Sequence, residues 1–452
     1  MAKAVNFTFE TYSLDKSRTT AIFNYSIDYQ DGSKTNLSEK LIFPVSIPDS
    51  LPAKRLFQAL HIGLGISYYK VFLPPTFTIQ YQLSQLEADF WNSVYRNGLS
   101  EFLYVNKLPV SKMATFEGSN SLRNQVPVIG TKTIAILGIG GGKDSILAGE
   151  LLKSLAIPVT GYVLATGDNH GQAQQVAKIM GVDLIGVQRI LDLQILELNK
   201  QPEAYNGHIP ISLIFALVGL LLCVATKARY IVVANEAPAS LPNTEWQGKA
   251  VNHQWSKSFE FEQSMQDFVH NTIASDLDYF SAIRSLSSIA VMKLFGQFPS
   301  YLNVFTSCNR VFRIDQSRRP NNRWCGECPK DLSTFILLAP WISQEVLENI
   351  FNKNLFDDRN LEKLFLELTG VEGHRPLDCV GTQDEAILSL NLIAQQDKLA
   401  NTYLLEVARK HRLIIDKDWS AELAKALTPS EEQAIPAELK DQLLHLIQRR
   451  LT

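Results

Sequence analysis

The run Thr131-Lys-Thr-Ile-Ala-Ile-Leu-Gly-Ile-Gly-Gly-Gly-Lys143-Asp144-Ser145 restricts the fold of this chain more than any other stretch. Residues 133–137 are β-branched and aliphatic, the composition of a strand buried on both faces of a parallel sheet. Gly140, Gly141 and Gly142 make a turn, and the helical pattern Ser145-Ile-Leu-Ala-Gly-Glu-Leu-Leu-Lys follows. Strand, glycine turn and helix together aim backbone N–H groups and a helix N-terminus at one point, which suits an anion. Glycine fits because a phosphate approaches the backbone where a Cβ would collide. Lys143 adds positive charge, Ser145 a hydroxyl, and Asp144 a carboxylate suited to hydrated Mg2+.

The pattern is not G-x-x-x-x-G-K-[ST], because Asp144 separates Lys143 from Ser145. Nor is it G-x-G-x-x-G: Gly138 and Gly140 fit its opening, but Lys143 stands at its last glycine. It resembles the PP-loop, SGGxDS, of the ATP pyrophosphatase superfamily, whose members cleave ATP between the α and β phosphates. Gly140 stands where that motif has its first Ser, so one hydroxyl contact to phosphate is missing.

From Lys132 onward the pattern alternates β, α, β, α, β, α, β, which predicts an α/β fold with a doubly wound parallel sheet. Strands are expected at 161–165, 184–187, 230–234 and 301–305. Polar residues cluster just past them, and in open α/β sheets ligands bind beyond the carboxyl ends of strands. Thr166 and Asp168 are thus expected near the nucleotide, and Glu236 near metal or substrate. The segment 209–226 has 18 residues without a charge, the lower limit for a membrane span. Because a strand follows within a few residues, it reads as a helix buried against the sheet.

Before the glycine turn, residues 7–12 and 19–29 alternate like antiparallel strands, and 56–69 reads as a helix. A second helical region, 84–104, opens with Ser84-Gln-Leu-Glu87, the spacing of a capping box. The expected organisation is an N-terminal α+β domain over 1–125 that packs or holds substrate. A nucleotide-binding domain over 126–335 and a helical region over 336–452 follow it.

With 46% hydrophobic and 20% charged residues the composition is that of an ordinary globular protein. A net charge of −3 argues against a large nucleic-acid footprint. The first ten residues contain no apolar core of signal-peptide length, and five cysteines without a framework spacing suit a reducing cytoplasm. Cys325-x-x-Cys328 has zinc-knuckle spacing, with Cys308 a third candidate ligand and Asp331 a fourth donor of a less suitable kind. A Cys pair that only shapes a loop is the other reading. The segment from Val251 to Glu262 combines His253, Lys257, Glu260 and three aromatics, a density that suits substrate binding and acid–base work.

Several runs recur together in one order: Leu64-Gly-Ile-Ser-Tyr-Tyr-Lys70, Tyr95-Arg-Asn-Gly-Leu-Ser-Glu-Phe102, Gly140-Gly-Gly-Lys-Asp-Ser145, Asn235-Glu236, Val251-Asn-His-Gln-Trp-Ser-Lys-Ser258, Trp324-Cys-Gly-Glu-Cys-Pro-Lys330 and Cys379-Val-Gly-Thr382. With them the chain, from about residue 56 to about 390, resembles the MurL family of UDP-N-acetylmuramoyl-L-alanyl-L-glutamate epimerases. Asp331 stands where that family tends to have a third close Cys. The resemblance implies a PP-loop domain of the adenine nucleotide alpha hydrolase-like type. The implied substrates are UDP-MurNAc-L-Ala-L-Glu and ATP, and the implied reaction is ATP-driven inversion of the terminal L-Glu with release of AMP and pyrophosphate. Gly138, Gly140, Gly141, Gly142, Lys143, Asp144, Ser145, Thr166 and Asn235 would then hold ATP, and Asp144 and Glu236 would hold Mg2+. His253, Lys257, Glu236 and Glu260 are candidates for proton transfer at the α-carbon, and the sequence does not choose among them. A PP-loop enzyme modifying tRNA or another small substrate, and a non-catalytic ATP-binding regulator, are the rival readings.

Overall fold

The computed structural model describes residues 2–120, 126–166, 171–312 and 319–452; Asp168 lies outside them. The chain opens with an antiparallel meander, β1 (Ala4–Leu14), β2 (Thr20–Tyr29) and β3 (Lys34–Ile42). Ser50 accepts from the Ala53 N–H and Pro52 sits in the first turn, starting α1 (Leu51–Tyr69). β4 (Thr76–Ile79) lies parallel to β1, and the Ser84/Glu87 capping box opens α2 (Gln85–Gly98), followed by α3 (Ser100–Val105).

The α/β part runs β5 (Lys132–Gly138), α4 (Lys143–Ser154), β6 (Val159–Thr166), α5 (Gly171–Met180), β7 (Leu184–Ile190), α6 (Gln194–Leu198), α7 (Ile211–Thr226) and β8 (Ala228–Val233). A hairpin of β9 (Thr244–Trp246) and β10 (Lys249–Val251) precedes α8 (Phe259–Phe268), β11 (Asp278–Ser281) and α9 (Ser288–Phe295). The rest is helical: α10 (Pro329–Leu338), α11 (Gln344–Phe351), α12 (Glu362–Leu368), α13 (Gln383–Gln395), α14 (Tyr403–Lys410), α15 (Ser420–Leu427) and α16 (Ala437–Leu451).

Nine strands form one mixed sheet in the order β11-β8-β5-β6-β7-β3-β2-β1-β4. The five from β11 to β7 are parallel, and β3 adds antiparallel to β7 with Lys40 opposite Ile190. The N-terminal strands therefore extend the parallel sheet. A buried ion pair fastens the join: Arg189 Nε lies 2.5 Å from Glu39 Oε1, and Arg189 Nη2 donates to Ser67 Oγ at 3.1 Å.

Alternation along β5 divides two cores, one on each face of the sheet. Ala135 and Leu137 pack with α4, α5, α9 and the C-terminal helices, whereas Ile136 packs with α1 and α7. The uncharged segment is α7, resting so closely on β8 that a Cβ at Gly219 would stand 2.2 Å from Ile231 Cδ1. Among the described residues no helix is long and apolar enough to cross a membrane.

One expected strand is corrected. Residues 301–305 are not a strand, because their N–H groups are used locally: Leu302 donates to Pro299, and Val304 and Phe305 both donate to Tyr301. The sheet's last parallel strand is instead β11, paired with β8 from Asp278↔Tyr230 to Ser281↔Val233.

Candidate active site

β5 has β6 and β7 on one side and β8 and β11 on the other, so the chain reverses its direction of travel at the β5–β8 boundary. Such a reversal leaves a crevice beyond the strands' carboxyl ends. The tails of β5 and β8 meet in it. Gly141 has φ +94°, and a Cβ there would lie 2.4 Å from Gln172 Cγ, so the turn needs glycine on both counts. Gly142 begins α4 without a side-chain cap. Although residues 301–305 are not a strand, the loop after them still covers the turn: Thr306 N donates to Gly141 O at 3.0 Å.

Lys143 is buried, and its Nζ donates to Asp144 Oδ1 and, at 3.3 Å, to Glu236 Oε2. Burial alone would lower its pKa, but the two carboxylates outweigh that and hold it above the ordinary lysine value. Burial raises Glu236 to about 7, with Lys143 opposing and Asp144 adding repulsion. Ser145 Oγ donates to Gly142 O at 3.1 Å, so in this arrangement the hydroxyl braces the turn. Gly138 and Thr166 end their strands, β5 and β6, and Gly140 has open space where a Cβ would stand. Asn235 is locked to β11, its N–H donating to Ser281 Oγ and its carbonyl accepting from the same hydroxyl.

The segment after β10 is pinned from behind by Arg284, which is wholly buried. Its Nε donates to Glu262 Oε2 at 2.8 Å, Nη1 to the Glu236 carbonyl at 2.9 Å and Nη2 to the Lys257 carbonyl at 2.5 Å. One guanidinium therefore sets the backbone beneath two of the candidate residues.

Lys257 and His253 converge on Cys379. Lys257 Nζ lies 3.6 Å from Cys379 Sγ, and His253 has a ring nitrogen within 4.8 Å of it. His253 Nδ1 also bonds the Glu101 carboxylate, and its ring lies 4.4 Å from that of His208. Burial favours neutral His253, but Cys379 and Glu101 outweigh it and raise the imidazole to about 9. Burial and the neighbouring His253 push His208 down to about 4. The charge on Cys379 raises Lys257, and Asp144 and Glu236 act on it too, so this cluster adjoins the glycine turn. Glu260 is placed differently: it is exposed, accepts from Asn97 at 3.3 Å, and lines a cavity of about 550 Å3 with Asn252 and Trp255.

Cys308, Cys325, Cys328 and Asp331 bring one donor atom each within 4.8 Å of one another. Cys328 Sγ lies 2.9 Å from Asp331 Oδ1, and the Gly326 N–H orients the other carboxylate oxygen at 2.7 Å. Three sulfurs and one oxygen match the donor number of a tetrahedral site.

Sequence reading singled out the turn, Glu236, His253 and Lys257, but gave no role to Arg284, Glu101 or Cys379. Cys379 did begin one of the recurring runs; Lys257 and His253 reach it from more than 100 residues away, Lys257 at a separation of 122.

Comparison with known proteins bears on most of the chain. Residues 1–282 match the family described as "MurL N-terminal domain", and residues 304–422 match "MurL C-terminal domain". A protein of Micromonospora sp. named "UDP-N-acetyl-alpha-D-muramoyl-L-alanyl-L-glutamate epimerase" is 32% identical over 398 residues, covering 87% of each chain. The protein of the same name from Xanthomonas oryzae pv. oryzae is 32% identical over 400 residues, 86% of each. That from Salinispora tropica is 31% identical over 401 residues, 86% of this chain and 85% of its own. At that identity and coverage, this chain belongs to the MurL family.

Proposed function

We propose that this chain inverts the terminal L-Glu of UDP-MurNAc-L-Ala-L-Glu to D-Glu, using ATP to form an acyl-adenylate and releasing AMP and pyrophosphate. The observation that supports it most is the meeting of two chemistries in one crevice. A glycine turn with Lys143 and Glu236 suits phosphate, and beside it the Lys257–Cys379–His253 cluster suits proton transfer.

The division of labour follows from charge. A free carboxylate resists loss of its α-proton, because a second negative charge would develop beside the first. Adenylation removes that charge and makes the carbonyl an electron sink, so a base of ordinary strength suffices. The N–H groups of the turn and the Lys143 ammonium would bind the departing pyrophosphate. Asp144 and Glu236 already share one cation in Lys143, and as two converging carboxylates they would hold Mg2+, which when bound neutralises phosphate charge. Inversion needs proton-transfer groups reaching both faces of the α-carbon, or one that moves. His253 and Lys257, whose side chains meet at Cys379, would serve as such groups, and Glu260 in the adjoining cavity would contact the substrate's more distant parts. In this reading residues 1–125 help to hold substrate, and 126–335 carry the adenylation machinery. The helical region 336–452 reaches in through Cys379. The three cysteines and Asp331 would hold Zn2+ and tie the start of α10 to the loop at Cys308.

The test is incubation with ATP, Mg2+ and UDP-MurNAc-L-Ala-L-Glu. AMP, pyrophosphate and D-Glu in the hydrolysed product are expected. ADP with phosphate, or product retaining only L-Glu, refutes the reading.

A further inference from the structure

We infer that Cys379 is one of the proton-transfer groups at the glutamate α-carbon, its sulfur taking or returning the proton on one face. This role rests on the epimerisation proposed above.

The argument begins with elimination among the five cysteines. Cys223 is buried within α7, where burial raises its thiol well above the ordinary value, and Cys308, Cys325 and Cys328 belong to the four-donor set. Cys379 is left, partly exposed and next to Lys257, whose charge also interacts with Asp144 and Glu236 at the glycine turn. It stands there among cations. Lys257 Nζ is 3.6 Å away and His253 is within 4.8 Å, and the charges of Lys330 and Arg375 also interact with it. Burial would push the thiol up, but Lys257, Lys330 and His253 outweigh it and bring Cys379 down to about 6. The acidic groups facing this cluster are Asp378, which is next in the chain, Glu101, which is bonded to His253, Asp144 and Glu236, which act on Lys257, and Glu385, which acts on Arg375. His208 lies beside His253 with its ring tilted to it, and burial keeps it neutral at ordinary pH.

The loop that carries the thiol is fixed. Arg375 Nη2 donates to Val380 O at 2.5 Å, Cys379 N to Asp378 Oδ1 at 2.8 Å, and Asn309 Nδ2 to the same oxygen at 2.9 Å. Gly381 N reaches Ser333 Oγ at 3.3 Å, and the Thr382/Glu385 capping box starts α13 directly afterwards. A second observation points to an anionic ligand. Arg375 is only 8% exposed, its Nε has no hydrogen-bond partner among the described residues, and its charge interacts with Glu385, Glu236 and Cys379. A buried guanidinium N–H left open beside a thiolate suits a substrate carboxyl or phosphate oxygen.

The step balances without a redox partner. The thiolate takes the α-hydrogen as a proton: the Cα–H bond breaks, S–H forms, and the electron pair moves onto the carbonyl oxygen of the acyl-adenylate as an enolate. A second group donates a proton to the opposite face of Cα. The thiol then gives its proton to solvent and the second group takes one back, which restores both, and water hydrolyses the inverted acyl-adenylate to the carboxylate and AMP.

The experiment uses the full chain and three readouts. Substrate-dependent exchange of pyrophosphate into ATP reports adenylation, deuterium entry at Cα from D2O reports proton transfer, and iodoacetamide labelling of the Cys379 peptide against pH reports the thiolate. Cys379→Ser and Cys379→Ala should keep pyrophosphate exchange within about threefold and lose deuterium entry by ~100-fold or more, the scale of a lost acid–base group. Labelling in the wild-type chain should half-saturate near pH 6, and Lys257→Met should move that point upward. Deuterium entry within tenfold of wild type in Cys379→Ser overturns this role alone. Equal loss of both activities in both variants also overturns it and makes the residue structural. A wild-type chain with no substrate-dependent exchange overturns the epimerisation itself, and this role with it.

Discussion

Replacing Arg284 by Met tests whether one buried guanidinium holds the crevice together. Arg284 and Glu262 both have no side-chain exposure, and the arginine's three donors reach Glu262, the Glu236 carbonyl and the Lys257 carbonyl. Met keeps much of the volume but leaves Glu262 as an unpaired buried carboxylate, which costs about 3–5 kcal/mol. That corresponds to roughly 10²- to 10⁴-fold in the folding equilibrium. Glu262 also accepts from Ser281 N at 2.9 Å, so an amide at 262 should keep that bond while removing the charge. The double variant Arg284→Met with Glu262→Gln is therefore expected within about 2 kcal/mol of wild type. Urea unfolding followed by tryptophan fluorescence measures both. In the double variant pyrophosphate exchange and α-deuterium entry should both remain depressed, because the Glu236 and Lys257 backbones have lost their common anchor. A single variant destabilised by less than about 1 kcal/mol, or a double variant no better than the single one, refutes the reasoning.

Lys143→Met should abolish pyrophosphate exchange, since it removes a buried cation bonded to both Asp144 and Glu236; wild-type exchange would place ATP elsewhere. Asp144→Asn should raise the Mg2+ concentration for half-maximal rate, and superimposable metal titrations would exclude it as a ligand. The folded value of His253, about 9, lies above its ordinary 6.5. Its contribution to stability is then complete below about pH 6.5 and lost as pH rises through 9, at most about 3 kcal/mol. The stability gap between wild type and His253→Gln should shrink across that window in urea titrations, and a constant gap would refute the pairing with Cys379 and Glu101. Purified chain should carry about one zinc by elemental analysis, and Cys325→Ser should carry none; a metal-free but fully folded wild type would leave the four donors as a hydrogen-bonded loop.

What the sequence determined by itself was local. The glycine turn announces itself because a buried strand, three glycines and a helix start are contiguous, and their backbone demands do not depend on distant residues. The Ser84/Glu87 cap and the buried helix α7 were legible for the same reason: each signal lies within one element. The PP-loop reading, by contrast, concerns a ligand and waits on the exchange assay. Tertiary structure decided the rest. Whether β3 pairs with β7, making one nine-stranded sheet, depends on an edge-to-edge register and the Arg189–Glu39 pair, which no window of sequence contains. Residues 301–305 have the apolar composition of a strand, yet Pro299 starts a local turn that takes their N–H groups, and the four-residue β11 occupies the sheet edge instead. The site shows the same division. His253 and Lys257 stood out because ionisable groups are dense in their own segment. Cys379, Glu101 and Arg284 became neighbours of that segment only when the strand tails and the C-terminal loop folded onto it, since electrostatic environment is set by distance in space.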